Sequence, residues 1–175
     1  MKRLWPLWLI AALLANPAAA ELSGVGSGGF TTSHAATIPA SPERAWQALT
    51  TEIGQWWESA HTWGGDAAAL FVDARPGGCF CERLADGGWV EHLRVIYLAP
   101  GHELRLRGAL GPLMQMGLEG VMTWTVEPLE DGGSRLQWTY TVSGWSPKGL
   151  EALAPAVDGV VGAQFANLVA RLAEG

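Results

Sequence analysis

Ser41-Pro42-Glu43-Arg44-Ala45-Trp46 has the parts that the start of a helix requires. Ser41 is suited to cap the first free N–H groups, and Pro42 falls at the first helical position, where a missing N–H costs nothing. The helix is predicted to run to about Leu49. Thr50-Thr51 and Gly54 then interrupt it, so two short helices are expected, with Ala45, Trp46, Leu49, Ile53 and Trp56 or Trp57 sharing one face. Immediately before this stretch, residues 30–40 read as an extended strand ended by Pro39 and Ser41.

Downstream the punctuation changes to that of hairpins. Arg75-Pro76-Gly77-Gly78, Ala85-Asp86-Gly87-Gly88, Ala99-Pro100-Gly101 and Glu130-Asp131-Gly132-Gly133 separate runs of strand length. Strands are predicted near residues 67–74, 79–85, 88–98, 102–109, 118–128 and 134–143. Alternation is clearest in the last two: Met122, Trp124 and Val126 share a face, as do Leu136, Trp138, Tyr140 and Val142, while Thr123, Thr125, Thr139 and Thr141 point away. After Pro155, Val157, Val160, Val161, Phe165, Leu168, Val169 and Leu172 recur with helical period, and a helix of about 19 residues would span about 28 Å. Gly159, Gly162 and Ala163 in that helix point to close approach to the sheet or to space beside it.

The chain opens with Lys2 and Arg3, an apolar run from Leu4 to Leu14, and Asn16-Pro17-Ala18-Ala19-Ala20, the three-part form of a secretory signal peptide. Residues 1–20 are therefore read as a leader cleaved after Ala20. Its apolar core is too short for the roughly 20 residues that span a bilayer, so no stable membrane anchor is expected and the mature chain is placed in the periplasm or outside the cell. Residues 21–29, with four glycines and two serines, read as a flexible lead-in, and residues 30–175 as one domain. Without Lys2 and Arg3, 9 basic residues stand against 17 acidic ones, and the basic residues are dispersed, so nucleic acid is excluded as a partner.

These local words and their order resemble the START-like, helix-grip superfamily known as SRPBCC, and within it the branch of polyketide cyclase-like and Hsp90-activator-homology domains. The resemblance rests on Ser41-Pro42-Glu43-Arg44-Ala45-Trp46, Glu52-Ile53-Gly54-Gln55-Trp56-Trp57, Gly77-Gly78-Cys79-Phe80-Cys81-Glu82 and the C-terminal helix, and covers about residues 30–173. It implies an α+β fold in which a seven-stranded antiparallel sheet wraps a long C-terminal helix, with two short helices after the first strand. It also implies a cavity between sheet and helix for lipids, sterols, polyketides or similar molecules. An export leader departs from the cytosolic co-chaperone role, which is set aside. The fold by itself does not choose among binding, transport and catalysis.

The candidate chemistry is sparse. Glu82, Glu91 and His92 flank the Ala85–Gly88 turn and can meet across a hairpin, where a carboxylate beside a neutral imidazole would form a general base. A two-residue turn would set Glu82 opposite Glu91 and Cys81 opposite His92, and a three-residue turn would shift these partners. Arg105 and Arg107 share a face of the next strand and can meet these acids or a ligand carboxylate. Cys79 and Cys81 lie about 6.6 Å apart on one face of an extended strand, near the upper limit for a bridge, and are expected as two thiols in preference to a disulfide. His34, His61, His92 and His102 show no metal-ligand spacing, no Gly-rich loop joins a strand to a helix, and no nucleophile elbow is present. No metal and no cofactor are expected.

Eight tryptophans follow the leader, and Trp46, Trp56, Trp124 and Trp138, with Tyr140 and Phe165, are the expected walls of an apolar cavity. Residues 108–117 form an apolar loop with Leu110, Leu113, Met114 and Met116, and read either as a lid over that cavity or as a loop folded onto the core. The leading expectation is an exported protein that binds a small hydrophobic molecule. The alternatives are a cyclase or dehydratase using Glu82 or Glu91 with His92, and a protein-interaction module with a filled cavity.

Overall fold

The computed structural model describes residues 19–173, so the leader lies outside the described residues except for Ala19 and Ala20. The strands are β1 (Ala19–Gly26), β2 (Gly29–Ile38), β3 (Leu70–Val72), β4 (Cys79–Arg83), β5 (Trp89–Ala99), β6 (Glu103–Arg107), β7 (Glu119–Pro128) and β8 (Ser134–Ser143). The helices are α1 (Pro42–Thr51), α2 (Pro112–Gln115) and α3 (Ala154–Ala173). One antiparallel sheet runs in the order β1-β2-β8-β7-β6-β5-β4-β3.

The sheet has eight strands, one more than expected, because residues expected as a flexible lead-in form β1. Their glycines and serines bury little, but the exposed backbone edge of β2 offers a ladder: Glu21 lies opposite Ser33 and Leu22 opposite Thr32, and Leu22 packs against the core. Cleavage after Ala20 would leave the Glu21–Gly26 ladder in place. The expected second short helix is replaced by three 3₁₀ turns, Ile53–Gln55, Ser59–His61 and Ala67–Ala69, after the single helix α1. Ser41 caps α1, its hydroxyl accepting from the Arg44 N–H at 3.3 Å.

The inner face of the sheet carries Phe30, Ile38, Phe80, Leu93, Leu104, Met122, Trp124, Leu136, Trp138 and Val142, all buried, and α3 lies across it through Val161, Phe165, Leu168 and Leu172. Gly162 marks the close crossing: a Cβ there would sit 2.8 Å from Cε1 of His34 on β2, so any larger residue would lift the helix. His34 in turn meets Asp158 of α3 at 3.1 Å, fixing the helix along β2.

Five aromatic rings close a circuit in the middle of this core. Neighbouring centroids lie 5.1 Å apart for Trp57 and Phe80, 6.3 Å for Phe80 and Trp124, 5.1 Å for Trp124 and Trp138, 5.7 Å for Trp138 and Trp56, and 5.8 Å for Trp56 and Trp57. Each such pair adds about 0.5–1.5 kcal/mol beyond the area it buries. The circuit fills the centre of the core between sheet and helices and leaves the free space toward one end.

Cys79 and Cys81 form a disulfide, contrary to the expectation of two thiols. Their Cα atoms are 5.5 Å apart, well inside the range a bridge accepts, because β4 is less extended than a fully stretched strand.

Candidate functional site

The free space is a cavity of about 530 Å³ at the end of the sheet where α3 begins. One wall is Leu153 and the first half of α3, through Val157, Val160 and Val161. A second is the loop from Trp57 to Trp63, and a third is the segment from Leu110 to Met116, with His92 of β5 between them. A smaller space of about 300 Å³ lies on the other side of α2, lined by Glu91, Arg107, Met114 and Glu119, and it too reaches His92.

His92 owes its position to a bulge. The turn Ala85-Asp86-Gly87 has three residues, closed by the Leu84 N–H to Gly88 carbonyl bond at 2.9 Å, so Glu82 lies opposite Val90 and Cys81 opposite Glu91. The next pair is Phe80 with Leu93, leaving His92 as the extra residue. Both His92 and Leu93 are therefore buried, where strict alternation would have sent one outward. Phe80 stacks on the imidazole at 4.9 Å.

Glu82 is fully buried and accepts three hydrogen bonds, from the backbone N–H of Trp63 at 2.9 Å, that of Gly64 at 2.5 Å, and Nε2 of His92 at 3.1 Å. A carboxylate receiving two amide protons has none to give, so the imidazole donates through Nε2 and keeps its Nδ1 lone pair. No hydrogen bond engages Nδ1 among the described residues. Burial pushes the His92 pKa below its usual value near 6.5, more strongly than the neighbouring Glu82 raises it, so the ring is neutral at pH 7. The arrangement is a tautomer-fixed imidazole at the edge of an apolar cavity, able to accept a hydrogen bond or a proton.

Both flanking segments are tethered. Gln164 of α3 is buried and grips Glu58 twice: its Oε1 accepts the Glu58 N–H at 2.8 Å, and its Nε2 donates to Glu58 Oε2 at 3.0 Å. Trp57 Nε1 donates to the His61 carbonyl at 3.1 Å. At the neck of the α2 segment, the Tyr140 hydroxyl accepts the Leu110 N–H at 3.0 Å and donates to the Gly108 carbonyl at 3.2 Å. Burial pushes the Tyr140 hydroxyl up to about 12, so the pin is uncharged at neutral pH.

Of the expected wall residues, Met116 lines the larger cavity and Met114 the smaller. Trp56, Trp124, Trp138 and Phe165 are packed into the core, Tyr140 serves the neck, and Trp46 is half-buried against the core; none of the six lines the larger cavity. Strand parity assigns a residue to a face but not to a position along it, and the aromatic circuit claims the middle. Glu91 is separated from Glu82 and pairs with Arg94, its Oε1 accepting from Nε at 3.0 Å. Arg105 pairs with Glu103 and Arg107 with Glu119, so neither meets Glu82. Trp57, His61, Trp63, Leu153 and Gln164 were missed as site residues. The inward parity of Glu82 with Phe80 was the legible signal of a buried acid.

Comparison with solved structures places the fold. CalU16 from Micromonospora echinospora is similar with a TM-score of 0.58 at 13% identity, covering 88% of this chain and 83% of that one. An uncharacterized protein from Rhizobium leguminosarum gives 0.56 at 19% identity, covering 91% and 100%. DynU16, from the dynemicin biosynthetic locus, gives 0.55 at 16% identity, covering 81% of this chain and 46% of that one. No curated protein matches the sequence. The model of one family, described as polyketide cyclase / dehydrase and lipid transport, matches residues 29–173. With an eight-stranded antiparallel sheet gripping a long C-terminal helix, and a family match over most of its length, the chain belongs to the polyketide cyclase / dehydrase and lipid transport family.

Proposed function

We propose that this protein binds a small, mainly apolar molecule, lipid- or polyketide-like, in the cavity beneath α2 and the first half of α3. The observation that carries the reading is the cavity itself: about 530 Å³ walled by Leu110, Leu113, Met116, Leu153, Val157 and Val161, with His92 at its edge. That volume is typical of small-molecule sites, and apolar walls with few polar groups favour a ligand held by burial and oriented by one hydrogen bond. A cavity of this size also speaks against the interaction module with a filled interior. Export to the periplasm or beyond is part of the proposal, supported by the leader pattern in residues 1–20 and by a disulfide of the kind oxidising compartments maintain.

Native mass spectrometry of the protein purified from its source, followed by organic extraction, tests the reading. A stoichiometric apolar adduct is expected, and Val157→Trp, which fills the space from α3, should abolish both the adduct and uptake of an apolar dye while circular dichroism stays unchanged. Repeated absence of any adduct together with no dye uptake by the wild type overturns it.

The Glu82–His92 pair favours a second reading, cyclase or dehydratase chemistry. His92 Nδ1 would take a proton from a ligand carbon beside a carbonyl, the C–H electron pair passing into an enolate and Glu82 stabilising the imidazolium. The enolate would then attack a second carbonyl or expel a β-hydroxyl, and the imidazolium would return the proton to that oxygen, giving the ring alcohol or water. Binding alone predicts that His92→Ala leaves the extracted ligand unchanged, whereas catalysis predicts that the variant accumulates an unconverted precursor of different mass.

A further inference from the structure

The large apolar side chains left exposed are not scattered. The turn of β1 and β2, the hairpin of β4 and β5, the segment joining β6 to β7 and the segment joining β8 to α3 all lie at one end of the sheet, as the pairs Gly29 with Ser143, Arg83 with Trp89, and Glu119 with Ser143 require. Trp63 belongs to the same end through its bond to Glu82. That end carries Trp145 at 79% exposure, Trp89 at 62%, Trp63 at 43%, and the half-exposed Val25, Met114 and Met116. Ile96 and Tyr97 are the two exceptions, half-exposed on β5 away from this end, with the Arg105 guanidinium 5.2 Å from the Tyr97 ring. The opposite turns, at residues 73–78, 99–102 and 129–133, carry none among the described residues.

We infer that this end of the sheet docks reversibly on the surface of a lipid bilayer, which serves as the source or sink of the apolar ligand; the inference rests on the binding function proposed above. Three observations select a bilayer over another occupant. Trp63 and Met116 belong both to the exposed patch and to the cavity wall, so whatever covers the patch also faces the cavity. The most exposed members are indoles, whose apolar ring and N–H suit the boundary between acyl chains and headgroups. The basic residues at this end are dispersed: Arg107 pairs with Glu119, Arg83 lies over the Phe71 ring at 4.1 Å, and no basic cluster forms among the described residues. A mature net charge of −8, from 9 basic against 17 acidic residues, and the lack of a basic cluster among the described residues predict attachment to zwitterionic lipid and none of the enhancement by anionic lipid that a polybasic patch gives. No helix among the described residues is long and apolar enough to cross a membrane, so contact is superficial.

Flotation with phosphatidylcholine vesicles tests the inference, using the mature chain, Trp89→Ser, Trp145→Ser and the double variant. The wild type should float with the vesicles, each substitution should weaken partition by about tenfold, and replacing a third of the lipid by phosphatidylserine should not strengthen it. Equilibrium uptake of an apolar dye from solution should be unchanged in the double variant, because neither residue lines the cavity, while transfer of that dye from vesicles should slow. A wild type that takes up dye but never floats overturns docking and leaves the binding reading intact, as does flotation that survives the double substitution. Sedimentation showing a wild-type dimer that the double variant dissolves would assign the patch to a second copy of the chain and likewise overturn the inference.

Discussion

His92 Nε2 lies 3.1 Å from Glu82 Oε2, and the same carboxyl group holds the backbone N–H groups of Trp63 and Gly64. One buried side chain thus orients the imidazole at the cavity and anchors the loop that walls it. Glu82→Gln puts an amide where three donors converge, so its NH₂ must face at least one of them. Losing one acceptor in a fully buried site costs about 1–3 kcal/mol. Urea unfolding should show that loss, and hydrogen exchange at Trp63 and Gly64 should speed up more than exchange in β7 and β8. Equal acceleration everywhere would show that Glu82 stabilises the fold without tethering the loop.

The neutral state of His92 gives a pH signature. Burial lowers its pKa below the usual value near 6.5, so the lone pair on Nδ1 is lost in a titration centred below pH 6.5. Binding of 1-naphthol, which can donate to that lone pair, should weaken as pH falls from 8 to 5, with a midpoint below pH 6.5. Binding of naphthalene, which cannot donate, should stay level across the same range. Parallel curves for the two probes would remove His92 from recognition.

The strand positions, the hairpin turns, the capped start of α1 and the apolar stripe of α3 were legible because each depends on local chemistry: period two, turn glycines, Ser41 with Pro42, period 3.6. What was not legible depends on partners distant in sequence. β1 is held by the edge of β2 and not by its own composition, and the bulge at His92 appears only when the Phe80–Leu93 pair is known. The walls were misplaced for the same reason: Trp124 and Trp138 have the right strand parity and Trp56 the right helical face, but only the closed aromatic circuit shows that they fill the centre and leave the cavity to Trp57, Val157 and the α2 segment.

The two lid methionines should separate. Met116 faces the larger cavity and Met114 the smaller one. Met116→Ser exchanges an apolar wall atom for a hydroxyl and should weaken uptake of an apolar dye several-fold, about 1 kcal/mol by the area removed. Met114→Ser should leave it within a factor of two. The same titration on both variants decides the matter, and equal losses would mean that the two spaces act as one.

Tyr140→Phe removes the pin at the neck of the α2 segment, leaving the Leu110 N–H and the Gly108 carbonyl without that partner. The ring still packs, so the expected cost to stability is about 1–2 kcal/mol. The diagnostic effect is kinetic: bound dye should dissociate faster, with a smaller change in its association rate, because the segment opens more often. Stopped-flow displacement reads both rates. Unchanged dissociation with normal folding would show that the segment does not gate the cavity.

Glu52 joins the two ends of the helical layer. Its oxygens accept Arg44 Nη1 at 3.1 Å and Nη2 at 3.0 Å from α1, and Arg171 Nε at 3.0 Å from the last turn of α3. Burial pushes its carboxyl pKa up, but the hydrogen bonds and charges of Arg171 and Arg44 together outweigh that and leave it below the usual value of 4.5. The unfolded chain therefore takes up this proton at higher pH than the folded one, so the stabilisation is complete above pH 4.5 and is lost as pH falls through the lowered folded value. Both arginines are about one-third exposed, which limits the contribution to about 1 kcal/mol. Glu52→Gln should lose that amount at pH 7 and little further in acid, so its urea midpoint should converge on the wild type's between pH 5 and pH 3. Curves that stay parallel over that interval would place the acid sensitivity of the fold on other carboxyl groups.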